Sequence, residues 1–292
     1  MVEIFLKYLS FEKRYSQHTL EAYKKDLQQF SDFLHSEFEI DNLILAKHIH
    51  IRGWIISLTE QDLSARSVNR KIATLKSLYK FLLAREYVES NPTTQIKPLK
   101  TEKSLPSFIK EDEIVRLLDN NVEFDDDFVG NRDRLMIELL YATGIRLSEI
   151  QGLLEKDVNF YEKTIRVLGK RSKERIIPIG DPLIKVIKQY LKLKAELNIV
   201  EDKLLVTDTG KPMYPMFIYR KVKKYLGAVT TMNKQSPHVM RHTFATHLLN
   251  KGADLNAVKE LLGHTSLAAT QVYTHNSIEK LKEAFEQAHP KA

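Results

Sequence analysis

Six side chains in the second half of the sequence are of the types that phosphate chemistry uses: Arg146, Lys170, His238, Arg241, His264 and Tyr273. A phosphodiester attacked by a side-chain nucleophile needs removal of that group's proton, stabilisation of charge on the nonbridging oxygens, and a proton for the departing sugar oxygen. Arg146 lies in Thr143-Gly144-Ile145-Arg146-Leu147-Ser148-Glu149, at the junction of two expected helices. Its guanidinium fork can take two phosphate oxygens at once, as a lysine cannot. A structural arginine paired with Glu149 is the competing reading. Lys170 stands in the basic turn Gly169-Lys170-Arg171-Ser172-Lys173-Glu174, where its ammonium could protonate a leaving oxygen or simply be solvated. In Ser236-Pro237-His238-Val239-Met240-Arg241-His242, the Ser-Pro opening reads as a helix start and puts His238 and Arg241 on one face, able to address one anion. His238 and His242 have the spacing of a metal pair, but the glutamate of the zinc-protease pattern is missing between them and no cysteine can complete a site, so no metal is expected. His247 is expected to face structure or solvent. His264 and Tyr273 would each, alone, read as a packing residue with a satisfied polar tip; beside the other four they read as part of one site.

Helices must position most of these groups. Asn131 to Ala142 reads as a helix capped by Asn131 and ended by Gly144, preceded by another from about Lys110 to Asn120. Thr164 to Leu168 and Arg175 to Ile179 are β-branched runs that flank the basic turn, a strand-turn-strand pattern. Further on come a basic helical stretch with Arg220, Lys221, Lys223 and Lys224, and a last helix through Leu281 and Phe285. The first hundred residues read as a separate set of amphipathic helices. After Ser16, Leu20, Tyr23, Leu27, Phe30 and Leu34 recur at helical spacing. From Ala65 to Ala84, Val68, Ile72, Leu75, Tyr79 and Leu82 share a face, with Arg66, Arg70, Lys71, Lys76 and Lys80 largely off it. That basic face could follow a DNA backbone or be merely solvated.

Asn91-Pro92 ends the helical pattern, and the proline- and lysine-rich stretch that follows reads as a tether. The expected organisation is therefore a helical domain over residues 1–97, a linker over 98–106 and a second domain over 107–292. A basic tether of this kind would let the two domains close around a duplex. Two domains also suit 292 residues, more than one core usually organises. The net charge of +7 suits a polyanionic partner, since each neutralised phosphate releases a counterion. The absence of cysteine excludes disulfides, thiol nucleophiles and thiolate metal sites. No apolar run approaches the ~20 residues of a membrane-spanning helix, and Met1 to Ser10 lacks the pattern of an export signal, so a cytoplasmic protein with no membrane partner is expected.

The chain resembles the tyrosine recombinases and, within them, the Xer-type chromosome dimer resolution recombinases. The likeness lies in Thr143 to Glu149, in Gly169-Lys170 with Lys173-Glu174-Arg175, in His238-Val239-Met240-Arg241-His242-Thr243-Phe244-Ala245-Thr246-His247, in Leu261-Leu262-Gly263-His264 and in Tyr273-Thr274-His275, all in order. It extends through the N-terminal helical region to Ala288-His289-Pro290. The resemblance implies a mainly α fold of two domains: an N-terminal helical-bundle core-binding (SAM-like) domain, and a C-terminal α-rich (α+β) catalytic domain with a small antiparallel sheet. It implies that Tyr273 attacks the scissile phosphate to give a 3′-phosphotyrosyl link, that Arg146, Arg241 and His264 hold the nonbridging oxygens, that Lys170 is the general acid and that His238 assists proton transfer. Arg66, Arg70, Lys71, Lys173, Arg175 and Arg220 are the candidate DNA-binding residues. Because the phosphotyrosine retains the phosphodiester energy, no cofactor, metal or ATP is expected. The implied partners are double-stranded DNA with a dif-like site, a homo- or hetero-tetramer on two such sites with an exchanged C-terminal helix that Leu281 and Phe285 could anchor, a second Xer recombinase and a DNA translocase of the FtsK type. A mobile-element integrase, a type IB topoisomerase and a non-catalytic DNA-binding protein are the alternatives.

Overall fold

The computed structural model describes residues 1–101, 107–119, 124–169, 173–263, 285 and 287–290. The chain divides into two compact units, Met1–Ser104 and Leu105–Ala292, each with its own apolar core.

In the N-terminal unit the apolar stripes read from the sequence become the packed faces of α1 (Val2–Phe11), α2 (Gln17–Phe38), α3 (His48–Glu60) and α4 (Ala65–Ala84). Ser16 and Ser64 cap α2 and α4, each side-chain oxygen accepting from a backbone N–H three residues on. Leu27, Phe30 and Leu34 of α2 meet Trp54 of α3 and Val68, Leu75, Tyr79 and Leu82 of α4 in one core. Leu99 stays with this unit, because Asn69 clasps its backbone: the Asn69 amide donates to the Leu99 carbonyl at 2.9 Å and accepts from its N–H at 2.7 Å.

The expected basic face of α4 needs one correction. Lys71 is only 5% exposed; its ammonium donates to Asp26 at 3.0 Å and also to Gln29, so it cannot lie along a DNA backbone. Asp26 is fully buried on α2 and accepts as well from both terminal nitrogens of Arg70 and from the Thr74 hydroxyl at 2.9 Å. A carboxylate withdrawn from water is tolerable only with such partners. Asp26→Ala would leave Lys71 as a buried, unpaired cation and is expected to destabilise the N-terminal unit by about 3–5 kcal/mol. Urea unfolding followed by Trp54 fluorescence checks this; an unchanged midpoint would show the cluster to be dispensable.

The second unit is built on α6 (Phe128–Thr143), most of whose residues are buried. Its cap is Asp127, whose carboxylate accepts from Gly130 N–H at 2.7 Å, and not Asn131, which lies inside the first turn and donates to the Asp127 carbonyl. Around it pack α5 (Glu111–Asp119), α7 (Leu147–Gly152), α8 (Asp181–Glu196), α9 (Pro215–Val229), α10 (Pro237–Asn250) and α11 (Leu255–Leu262). A three-stranded antiparallel sheet runs in the order β1 (Val158–Asn159), β2 (Thr164–Leu168), β3 (Glu174–Pro178). The register pairs Ile165 with Ile177 and Val167 with Arg175, so Arg175 shares the buried side of β3 with Ile177. Phe285 is buried in this unit's own core and stacks on His289. Within the single chain it packs on its own domain. Leu281 lies outside the described residues.

Candidate active site

The site begins where α6 stops. Gly144 ends that helix in the left-handed conformation, φ 58°, and a Cβ there would stand 2.4 Å from the Phe244 ring, so no larger residue fits this turn without a shift. The turn delivers Arg146 to the start of α7. There Glu149 accepts from the Arg146 backbone N–H at 2.7 Å and from its guanidinium at 2.7 Å. The competing reading of Arg146 as a partner of Glu149 thus describes a real bond, and the side chain nonetheless remains 29% exposed.

Two more guanidinium groups join it. Arg175 on β3 donates through both terminal nitrogens to Glu149, at 2.9 and 2.8 Å, and through Nε to the Leu261 carbonyl at 2.8 Å. Arg241 on α10 donates to the carbonyls of Gly144 and Leu262 at 2.6 and 2.5 Å. Arg146 also reaches the Gly263 carbonyl at 3.3 Å. Three arginines therefore hold three consecutive carbonyls at the end of α11, where a helix leaves its acceptors unpaired and its dipole is negative.

The electrostatics leave this cluster in need of an anion. Three guanidinium groups surround one carboxylate, so two positive charges are uncompensated within the cluster. Burial, together with the nearby Arg146 and Arg175, lowers the Arg241 pKa to about 10, which still leaves it charged at neutral pH. Burial by itself would raise the Glu149 carboxyl, but the hydrogen bonds and charges of Arg175 and Arg146 outweigh it and hold the group at about 2. A depressed carboxyl stabilises the fold fully above its unfolded value and loses that contribution as pH falls through the folded one. The stability advantage of wild type over Glu149→Gln is therefore expected to be constant from pH 8 to about 5 and to vanish between about 4.5 and 2. Urea titrations at a series of pH values measure it; an advantage lost already near neutral pH would contradict the ion cluster.

The remaining candidates fall in several places. His238 is exposed in the first turn of α10, three residues before the buried Arg241, beyond the Ser236 cap whose hydroxyl accepts from Val239 N–H. Lys170, His264 and Tyr273 lie outside the described residues, but the glycines that precede Lys170 and His264 are described. Gly169, just before Lys170, stands against the cluster: a Cβ there would be 3.6 Å from Glu149 and 3.7 Å from Arg175. Gly263, just before His264, has φ 63°, and a Cβ there would be 3.2 Å from the Arg175 side chain. His247 is structural. Its Nε2 donates to the Ile109 carbonyl and its Nδ1 accepts from the Tyr141 hydroxyl, while burial lowers its pKa and favours the neutral ring.

Of the candidate DNA-binding residues, Arg66, Lys173 and Arg220 are exposed; Arg220 donates to the Tyr214 hydroxyl at 2.6 Å. Arg70 is half-exposed and tied to Asp26. Arg175, 4% exposed, is corrected together with Lys71: all three of its donor nitrogens are committed to the protein. The sequence reading missed its structural place, as it missed Asp26. Among the described residues no helix is long and apolar enough to cross a membrane.

Comparison with known proteins gives a consistent result over the whole chain. Residues 107–280 match the model of the phage integrase family, and residues 2–86 match that of the phage integrase N-terminal SAM-like domain. A tyrosine recombinase XerC of Oceanobacillus iheyensis is 40% identical over 100% of this chain and 96% of its own length. A tyrosine recombinase XerD of Staphylococcus haemolyticus is 36% identical over 100% of this chain and 99% of its own. Among solved structures, the XerH site-specific recombinase bound to a palindromic difH substrate is similar with a TM-score of 0.74 at 23% identity, covering 97% of this chain and 84% of that one. A lambda integrase dimer bound to a core site gives 0.69 at 18% identity, covering 93% and 98%.

Proposed function

Because the chain belongs to the phage integrase family, as a tyrosine-type site-specific DNA recombinase, we propose that it resolves chromosome dimers by strand exchange at a dif-like site. The observation that supports this reading best is the cluster of Arg146, Arg175 and Arg241 around Glu149, a preformed cationic seat with two charges to spare. A scissile phosphate placed there would meet the unused donors of Arg146 and Arg241, which oppose the charge that develops on its nonbridging oxygens. His264 adds a hydrogen bond to the same oxygens. The Tyr273 oxygen attacks phosphorus, the bond to the 5′ oxygen breaks, and Lys170 gives that oxygen its proton. His238 assists removal of the phenol proton. The products are a 3′-phosphotyrosyl link and a free 5′ hydroxyl, and attack by a 5′ hydroxyl from a second duplex reverses the step with no external energy source.

Relatives of matching length carry both the XerC and XerD names, which supports a second Xer recombinase as partner; in the same reading the protein acts in the cytoplasm, as a tetramer on two DNA sites, with a DNA translocase of the FtsK type as activator. Arg66, Arg70, Lys173 and Arg220 would contact the duplex outside the scissile phosphate. The test is a supercoiled plasmid with two directly repeated copies of the candidate chromosomal site, incubated with the protein alone and with the second recombinase and translocase added. Two separate circles are expected. Relaxation without exchange would point to a topoisomerase, and exchange only at the ends of a mobile element would point to an integrase.

A further inference from the structure

We propose that Arg175 is a positioning residue for the strand-cleavage reaction, indexing Arg146, the base of the β2–β3 hairpin and the end of α11 to one another; this rests on the recombinase reading above. Each oxygen of Glu149 takes one guanidinium bond from Arg175, at 2.9 and 2.8 Å; Oε1 also takes the Arg146 guanidinium at 2.7 Å and Oε2 the Arg146 backbone N–H at 2.7 Å. Without Arg175 the carboxylate would keep only its bonds to Arg146, and its terminal torsion, intrinsically broad, would no longer be fixed from the opposite side. The plane of the Arg146 guanidinium would lose its reference. The third donor of Arg175, Nε, holds the Leu261 carbonyl, and its side chain fills the space beside Gly169 and Gly263. Those glycines immediately precede Lys170 and His264. One buried side chain thus lies beside the glycines that precede two of the proposed catalytic groups and is linked to a third, Arg146, through Glu149.

A cation in this place costs something. Arg175 raises the positive charge around Arg241 and contributes to lowering the Arg241 pKa, yet all three of its nitrogens already donate to Glu149 and the Leu261 carbonyl. What it does supply is a rigid fork. Lysine has the charge but only one nitrogen, which cannot meet both Glu149 oxygens and the Leu261 carbonyl in the same geometry.

The experiment is a double-mutant cycle of Arg175→Lys and Glu149→Gln, both of which retain side-chain bulk, with single-turnover adduct formation on a nicked duplex, DNA affinity and thermal unfolding measured for each. Arg175→Lys is expected to slow adduct formation by about 10- to 100-fold, the size of effect seen for outer-shell partners of metal ligands, with unchanged DNA affinity and a cooperative unfolding transition. In the Glu149→Gln background the same change is expected to cost much less, because the two residues act as one unit. Additive losses, a wild-type rate, or a loss of DNA affinity that matches the loss of rate would each overturn the assignment. If the wild type itself forms no adduct, the recombinase reading fails, and the positioning role is still decided by the Arg146 guanidinium resonances. Distinct Nη signals are expected in the wild type and averaged ones in Arg175→Lys; identical spectra would overturn it.

Discussion

Tyr273→Phe is expected to abolish the covalent protein–DNA adduct while leaving DNA affinity unchanged. The substitution removes one oxygen and keeps the ring, so it tests the nucleophile and little else. With no cysteine in the chain, the candidate nucleophiles in the matched motifs are chiefly hydroxyls and imidazoles. A free phenol titrates at about 10, and only about one in a thousand is ionised at pH 7. A cationic cluster with surplus charge favours the phenolate and lowers that barrier. The six proposed catalytic groups contain no other hydroxyl. The measurement is trapping on a nicked duplex that carries the candidate site, run on a denaturing gel without added metal or ATP. A slow-migrating adduct in the wild type alone supports the tyrosine mechanism. An adduct that persists in Tyr273→Phe would place the nucleophile elsewhere, with Ser148 and Thr143, in the Arg146 motif, the first to be replaced.

Much of the architecture was legible because it follows from periodicity. The stripe on Ala65–Ala84 matches α4 to the residue, and the caps Ser16 and Ser236 and the stop at Gly144 fall where their side chains or their left-handed backbone require. Strand β2, Thr164–Leu168, is equally plain, whereas β1 is two residues long and carries no alternation to read. Lys71 and Arg175 depart from the expected basic surface for one reason: charge does not by itself mark exposure. Lys71 lies three positions after Val68 and four before Leu75, inside the apolar stripe, and Arg175 lies two before Ile177, on the inward side of β3. Both positions foretold burial. What they could not foretell was the partner, because Asp26 is 45 residues from Lys71 and Glu149 is 26 from Arg175 in sequence. A buried charge is acceptable only where the tertiary fold brings a counter-charge, and no local pattern encodes that meeting. The order of Arg146, Lys170, His238, Arg241, His264 and Tyr273 was legible only by family likeness.

Arg146→Ala and Arg241→Ala are each expected to lower the rate of cleavage by at least about 100-fold, the effect of removing one preorganised donor to a developing oxyanion. Their costs to the fold should differ sharply, and that contrast separates chemistry from scaffolding. Arg146 is partly exposed and its removal leaves Glu149 still bridged by Arg175, so its loss should fall chiefly on cleavage. Arg241 is 7% exposed and is the donor to both the Gly144 and Leu262 carbonyls. Alanine there takes from two buried acceptors the donor they have among the described residues, at about 1–3 kcal/mol each, and frees the turn before Arg146 from the end of α11. Adduct rate and urea midpoint measured on both variants should give comparable losses of rate beside unequal losses of stability. Cleavage at the wild-type rate in either would remove that arginine from the phosphate seat. Equal destabilisation would mean that Arg146, too, is held for the fold, and the surplus charge of the cluster would then need a different ligand.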